Sequence, residues 1–292
     1  MKKVFLIVFP LLFSLSGWSC GVVNAIAVNA TTSIVDNGLQ SIFEESDLDL
    51  AERSIPANLT LLEALYRSNH NDDDHLAFLL LEGYTGYTLG FVEDSDADRA
   101  KKLYARARQY GFDILSKHAA FAAAVNGDND AFARSLDSFG SDDVPVIFWT
   151  ANAWGNLINL SIADPAVIGD LPKVNAMMDF VLKHDEQYFY GGAHLYFGTI
   201  LGTTPKSLGG KPDSAKYHFD RCLKIGEGKF LLPYVYMAKS YCVQVQDKEL
   251  FLQSLHTVDT TSIDVLPEQR LVNAIAKRKA KALEQKADDL FF

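Results

Sequence analysis

The segment AKKLYARA (100–107) places two small residues and one aromatic residue on a single face of a predicted helix. Ala100, Tyr104 and Ala107 are separated by four and then three residues, which is the spacing of neighbours on an α-helix. Two later segments, AMMDFVLK (176–183) and AKYHFDRC (215–222), repeat this pattern through Ala176, Phe180, Ala215, Phe219 and Cys222. A small residue lets a second helix approach closely, and the aromatic ring fills the groove beside it. The pattern therefore predicts helices that pack in pairs.

The distances between these segments indicate a repeat. They start at residues 100, 176 and 215, so the steps are 76 and 39 residues, and 126–139 is a candidate for an unmarked unit in the longer step. The small–aromatic–small spacing resembles the second helix of a tetratricopeptide repeat. We therefore predict an all-α, tetratricopeptide-like stack of helix pairs with extended loops over residues 56–292, with a concave binding face. A generic helical bundle is the alternative, because the same spacing arises by chance in amphipathic helices.

Acidic breaks separate the predicted helices. SNHNDDD (68–74) and EDSDADR (93–99) lie between apolar segments, and their Asp and Asn side chains can cap the helix that follows. Pro56 and Pro145 are expected near helix starts, where the missing N–H of proline does no harm.

The first 20 residues have the features of an export signal. Lys2 and Lys3 precede an apolar run over 4–15, a length typical of a signal peptide and shorter than the roughly 20 residues that span a bilayer. The run leads into LSGWSCG (15–21), which resembles a bacterial lipoprotein signal. We predict a signal peptide at 1–19, lipidation of Cys20, and a lipid-anchored linker with a first helical segment at 20–55. Gly17 and Trp18 depart from the usual lipoprotein pattern, so secretion without lipid and an uncleaved anchor stay as alternatives.

Charge and cysteine content narrow the classes of function. The net charge of −10 argues against nucleic-acid binding. No later segment has 18 consecutive apolar residues, so none is predicted to span a membrane. Cys222 and Cys242 form either one disulfide or two buried thiols in packed helices.

No motif for catalysis, cofactor or metal binding is present: the sequence lacks H-E-x-x-H, C-x-x-C and a nucleophile elbow. We therefore predict that the protein is not an enzyme and uses no cofactor. His194 is expected to be a hydrogen-bonded core histidine, or to line a cleft. A hydrolase with a site around His194 and the aromatic residues at 188–190 is the enzymatic alternative.

One predicted helix carries a polar stripe. In VPVIFWTANAWGNLINL (144–160), the residues Asn152, Asn156 and Asn159 share a face, and buried amides need hydrogen-bond partners. The stripe either bonds to neighbouring helices or faces a cavity or pore. The candidate lining residues of such a cavity are Tyr84, Tyr87, Trp149, Asn152, Trp154, Asn156, Asn159 and His194.

Four long segments carry a resemblance to a known family. GYTGYTLGFVEDSDADRAKKLYARARQYG (83–111), DVPVIFWTANAWGNLINL (143–160), the segment 170–223 and VQVQDKELF (243–251) resemble the T-components of tripartite ATP-independent periplasmic (TRAP) transporters. The resemblance covers essentially the whole chain after Cys20. It implies an exported, commonly lipid-anchored protein built from degenerate tetratricopeptide-type helix pairs.

The resemblance also implies a function. It predicts a periplasm-facing protein, attached by lipid to a bacterial membrane and expected at the outer membrane, that binds the solute-binding protein of a TRAP transporter. A homotrimer and the transfer of a small, partly apolar ligand are implied by analogy, and the family offers no catalytic residues. An envelope scaffold that uses the same concave surface on other proteins is the alternative function.

Overall fold

The computed structural model describes residues 41–162, 164–205 and 210–291, and within these ranges the protein is all-α, with no strand. Cys20 and the predicted signal peptide lie outside the described residues. The main helices are α1 (Leu48–Ser68), α2 (Asp74–Tyr87), α3 (Ala97–Leu115), α4 (Ala119–Ala124), α5 (Asn129–Ser135), α6 (Val144–Leu160), α7 (Pro165–Ile168), α8 (Leu171–His184), α9 (Tyr188–Thr203), α10 (Pro212–Ile225), α11 (Leu232–Met237), α12 (Val243–Val245), α13 (Lys248–Thr260), α14 (Arg270–Glu284) and α15 (Ala287–Leu290). Two π-helical turns follow α2 and α11, at Thr88–Val92 and Ala238–Cys242.

The acidic breaks cap the helices that follow them, as predicted. The Asp73 carboxylate accepts a hydrogen bond from the N–H of Leu76 at the start of α2, at 3.0 Å. The Asp96 carboxylate accepts one from the N–H of Arg99 at the start of α3, also at 3.0 Å. Each bond satisfies a donor that the first helical turn leaves open.

The structure confirms the predicted position of one proline and contradicts that of the other. Pro145 lies in the first turn of α6, as predicted. The prediction for Pro56 is wrong, because Pro56 lies inside α1, and that helix begins at Leu48 with Asp47 as its cap. The Asp47 side chain accepts hydrogen bonds from the N–H groups of Asp49 and Leu50, so the start of the helix is fixed well before Pro56. The boundary between residues 55 and 56 therefore falls within one helix.

Consecutive long helices pack against each other along the chain. α1 contacts α2, α2 contacts α3, and α3 contacts α6 across the short helices α4 and α5. The series continues through α8, α9, α10 and α11 to α13 and α14, and α14 also contacts α1. Pairwise packing of neighbours is what a helix-pair stack requires, and a regular repeat geometry stays a prediction. The segment 126–139 forms α5 and a short 3₁₀ turn rather than a full helix pair.

The small–aromatic faces point into the protein. Ala100, Tyr104 and Ala107 are fully buried in α3, and Ala215, Phe219 and Cys222 are fully buried in α10, each with 0% exposure. In α8, Phe180 is buried while Ala176 is half-buried. Cys222 and Cys242 are both buried free thiols, which agrees with the second alternative for these residues.

The buried apolar residues form two cores. The first joins α1 to α9 and includes Leu271 and Ile275 of α14, and the second joins α10 to α15. Leu89 and Phe189 pack against both cores. Phe189 lies at a kink near the start of α9, where Phe189, Tyr190 and Gly191 all have positive φ angles, of 46°, 56° and 78°. Left-handed backbone is unfavourable for aromatic residues, so the dense ring packing around Phe189 must hold it in place.

The long helix α14, near the C-terminus, covers part of the first core. The side chain of Ile275 occupies the space where a Cβ on Gly90 would lie, and its Cδ1 is 2.7 Å from that point. Arg278 stacks on Phe91 at 4.8 Å and donates to the carbonyl of Gly90. Lys279 forms an ion pair of 3.0 Å with Glu93, and both side chains are nearly buried.

Within the part of the chain that the structure describes, no helix is long and apolar enough to cross a membrane.

Candidate functional site

A buried carboxylate organises a polar cluster between α1, α2 and α3. Glu63 is 8% exposed, and its Oε1 accepts hydrogen bonds from the hydroxyls of Tyr84 at 3.0 Å and Tyr110 at 2.8 Å. Arg106 adds a contact of 3.3 Å to the same oxygen and lies over the Tyr84 ring at 5.4 Å. These partners satisfy the buried charge, while burial raises the pKa of Tyr84.

An open groove lies beside this cluster, between the C-terminal ends of α1 and α3. Its volume is about 580 Å³, and Tyr110 belongs to both the groove and the cluster. The lining residues are Tyr66, Arg67, Asn71, Gln109, Tyr110, Phe112, Asp113, Ser116 and Lys117. Lys117 fixes one rim, because its Nζ pairs with Asp72 at 2.6 Å and with Asp74 at 2.8 Å. Aromatic rings and side chains of both signs of charge therefore line this groove.

Trp149 belongs to an aromatic cluster in the middle of the first core. Its ring lies 4.8 Å from the ring of Phe189 and 5.4 Å from that of Phe148. The ring of Tyr188 also packs edge-to-face with that of Phe148, at 5.2 Å. The charge of Glu82 in α2 acts on Tyr188, and burial raises the pKa of Glu82 to about 7. An acid that is poorly solvated and lies near aromatic rings is a frequent feature of functional sites.

The asparagine stripe of α6 divides into a pair and a separate residue. The Asn156 amide donates to the Asn152 side-chain oxygen at 2.8 Å, and both residues are half-buried. Asn159 is exposed. This bond lies within α6 and satisfies one donor and one acceptor, so bonding of the stripe to neighbouring helices and its role as a cavity lining both stay predictions.

His194 is a buried member of a charged cluster between α9 and α10. Its Nδ1 lies 2.9 Å from Nδ1 of His218, and its Nε2 lies 3.3 Å from Oε2 of Glu186. Arg221 pairs with Glu186 from the next turn of α10. The Tyr217 ring lies 6.3 Å from the His194 ring. Burial lowers the pKa of both histidines, and His218 falls to about 4 because the neighbouring His194 adds to the effect.

The predicted lining residues therefore occupy several places in the fold. Tyr84 belongs to the Glu63 cluster, Trp149 to the aromatic cluster and His194 to the histidine cluster. Trp154 packs against Phe112 at 5.2 Å and Phe132 at 6.0 Å. Tyr87 stacks on Phe91 at 5.8 Å, close to α14. Their assignment as a cavity lining stays a prediction.

No sequence motif marks several of the candidate functional residues: Glu63, Arg106, Tyr110, Glu82, His218 and Arg108. One signal was available for Glu63, because it lies on the same helical face as Leu59, Leu62 and Tyr66. A charged residue on an otherwise apolar face indicates a buried polar cluster. No comparable signal links His194 to His218, which are 24 residues apart. Among the described residues, no group of three or more metal-binding side chains is placed to hold an ion.

Within its described residues the protein is an all-α protein of consecutively packed helices, with an open groove of aromatic and charged residues between two of them. The chain belongs to the TRAP transporter T-component family, whose model matches residues 44–291. It is similar to an uncharacterized protein of Treponema pallidum (strain Nichols), with 21% identity over 266 residues, covering 85% of this chain and 81% of that protein. Family membership indicates a role in a TRAP transport system and a location in the periplasm or at a membrane.

Proposed function

We propose that this protein binds the solute-binding protein of a TRAP transporter and assists the passage of a small, partly apolar ligand to or from it. The family match indicates that the protein has a role in a TRAP transport system. The observation that carries the finer proposal is the open groove of about 580 Å³ between the ends of α1 and α3. Tyr110, Phe112 and Arg67 on its helices, and Lys117 in the turn after α3, line this groove, and aromatic and arginine side chains are enriched at protein interfaces.

The proposal includes attachment to a membrane. Lipidation of Cys20 would hold the helical domain at the membrane surface facing the periplasm, most simply at the outer membrane. Each acyl CH₂ buried in a bilayer contributes about 0.8 kcal/mol, so two or more chains give a stable anchor. A homotrimer, as the family resemblance implies, would carry three such grooves. Mass spectrometry of the N-terminal peptide tests the anchor, and an unmodified Cys20 in protein from native membranes would contradict it.

Capture of the binding protein tests the groove. The lipid-anchored protein is purified from native membranes with cross-linking, and recovered solute-binding protein is quantified. We expect Gln109→Trp to lower capture by at least about tenfold, because the indole fills part of the groove and interface contacts concentrate in few residues. Gln253→Trp is the matched control, since it makes the same change at an exposed position of α13.

The two variants separate groove binding from general effects of an added indole. Capture that is lost equally in both variants indicates a nonspecific effect and contradicts the groove assignment. A wild-type preparation that recovers no solute-binding protein contradicts the proposed function itself. Circular dichroism of each variant verifies that the helical fold is retained.

A further inference from the structure

Arg108 of α3 is a half-buried cation without a carboxylate partner in the described ranges 41–162, 164–205 and 210–291. Its guanidinium carbon lies 5.2 Å from the ring centre of Phe112 and 5.3 Å from that of Trp154. Its Nε is buried and has no hydrogen-bond acceptor among those residues. A buried N–H without an acceptor is unfavourable by the desolvation free energy of that group, so such donors are rare in folded proteins.

Trp154, whose ring contacts the Arg108 guanidinium, supplies a second unsatisfied donor. The residue is 2% exposed, and its indole N–H is buried without an acceptor in the described part of the chain. Its ring is in contact with both the Arg108 guanidinium and Phe112. Two unpartnered N–H groups therefore belong to side chains that touch each other, and one of these side chains carries a full positive charge.

The nearby charges leave Arg108 uncompensated. Lys173 is also buried, but its Nζ pairs with Asp170 at 3.2 Å and donates to the carbonyl of Val125 at 3.2 Å. Asp170 acts on Arg108 only at longer range, and burial lowers the pKa of Arg108. Since Lys173 and Asp170 offset each other, the cluster has one excess positive charge.

Aromatic rings surround this charge. Phe112 and Phe132 meet the Trp154 ring edge-to-face at 5.2 Å and 6.0 Å, and Phe132 also packs near the Lys173 ammonium at 5.8 Å. Phe112 is shared with the open groove between α1 and α3. The surroundings thus favour a ligand with an apolar body and one anionic group.

We propose that Arg108 and Trp154 bind the carboxylate of a small organic monoanion, whose apolar part packs on Phe112. A planar guanidinium matches the two oxygens of a carboxylate, and the indole N–H adds a third donor. One excess positive charge suits a monocarboxylate better than a phosphate dianion. The inference rests on the proposed function in one respect, because it takes the small ligand of that function to be the anion.

Direct binding of benzoate to the purified, folded protein tests the site by calorimetry. Benzamide is the matched ligand control, because it keeps the ring and the planar head group but has no charge. We expect benzoate to bind at least about tenfold more tightly than benzamide, since hydrogen bonds to a charged group are stronger than those to a neutral one. Equal binding of the two compounds, or no binding of benzoate, would overturn the proposal.

Two variants assign the binding to these residues. Arg108→Gln should weaken benzoate binding by at least about tenfold, and Trp154→Phe should weaken it by about threefold or more while keeping an aromatic ring. Arg53→Gln, at an exposed position of α1, is the control and should bind as the wild type does. Unchanged affinity in folded Arg108→Gln contradicts the proposal. If Arg108→Gln does not fold, Arg108→Lys keeps the charge without the planar fork, and unchanged affinity in that variant contradicts the carboxylate geometry.

The test is separable from that of the proposed function. Capture of the solute-binding protein depends on the groove and does not require benzoate. Failure of benzoate binding with intact capture overturns only the anion site. Loss of capture with intact benzoate binding overturns only the proposed partner.

Discussion

The Nδ1 atoms of His194 and His218 lie 2.9 Å apart, so one imidazole must donate the proton that the other accepts. Protonation of both rings would place two N–H groups and two charges against each other. The groups that face this pair are Glu186, which Arg221 neutralises, and the phenol of Tyr217. The folded protein therefore favours the neutral pair, and the pKa values of both histidines are lowered.

This pair makes the stability of the fold depend on pH. A histidine whose pKa is lower in the folded state than the ordinary 6.5 binds protons more readily when unfolded. Its stabilising effect is complete above about pH 6.5 and is lost as the pH falls toward about 4, the pKa of His218. We expect the free energy of unfolding to fall by about 2 kcal/mol over this range, measured as the difference from His218→Gln. His256→Gln, at an exposed position, is the control, and its free energy of unfolding should change with pH as that of the wild type does. If the difference in free energy of unfolding between wild type and His218→Gln does not change with pH, the assignment is contradicted.

Glu82 should make the stability of the fold depend on pH in the opposite direction to the histidine pair. Burial raises its pKa to about 7, so the folded protein binds this proton more tightly than the unfolded chain does. The favourable contribution is complete below about pH 4.5 and is lost as the pH rises through 7. Glu82→Gln removes the buried charge and should raise the free energy of unfolding by about 2 kcal/mol at pH 8. Thermal melts at pH 4.5 are the control, because the two proteins should then melt alike. A Glu82→Gln protein that is no more stable than wild type at pH 8 would show that the carboxylate is well solvated.

Gly111 is required by the contact between α3 and α6. A Cβ at this position would lie 2.0 Å from the hydroxyl oxygen of Thr150, a fully buried residue that donates to the carbonyl of Val146. Gly111→Ala should therefore lower the free energy of unfolding by about 2–3 kcal/mol, measured with urea. Gly86→Ala is the matched control in α2, where nothing lies within 4 Å of the added methyl group. Because alanine favours helix, Gly86→Ala should stabilise by about 0.5–1 kcal/mol, and equal effects of the two changes would contradict the packing argument.

Cys222 and Cys242 should be unreactive in the folded protein. Both thiols are buried, and burial raises the pKa of each to about 12, whereas only the thiolate reacts. We expect both residues to react with Ellman's reagent only after denaturation, and the melting temperature to be the same with and without a reductant. A melting temperature that falls on reduction would reveal a disulfide instead.

The helices could largely be predicted from the sequence because their signals are local. Asp73 and Asp96 mark helix starts through hydrogen bonds within one turn, and the face of Ala100 and Tyr104 follows from helical spacing alone. Pro56 was misplaced because proline at a helix start and proline inside a long, well-capped helix leave the same local pattern.

The candidate sites could not be predicted in the same way. Arg108 meets Trp154 and His194 meets His218 only after separate helices have packed against each other. Trp154 was named as a lining residue from its surroundings in α6, but its unpartnered N–H is a property of the packed core. The left-handed backbone at Phe189 and Tyr190 likewise has no local sequence signal, since aromatic residues rarely adopt it.

The position of α14 against the π-helical turn after α2 has a consequence for the order of events during synthesis. Ile275 fills the space beside Gly90, and Arg278 reaches the Gly90 carbonyl across 188 positions of the chain. A chain that emerges from its N-terminus can therefore assemble α1 to α9 early, but the gap beside Gly90 stays open until α14 has emerged. A polypeptide that stops before α14, the last long helix to be made, therefore leaves apolar surface of the first core exposed to solvent.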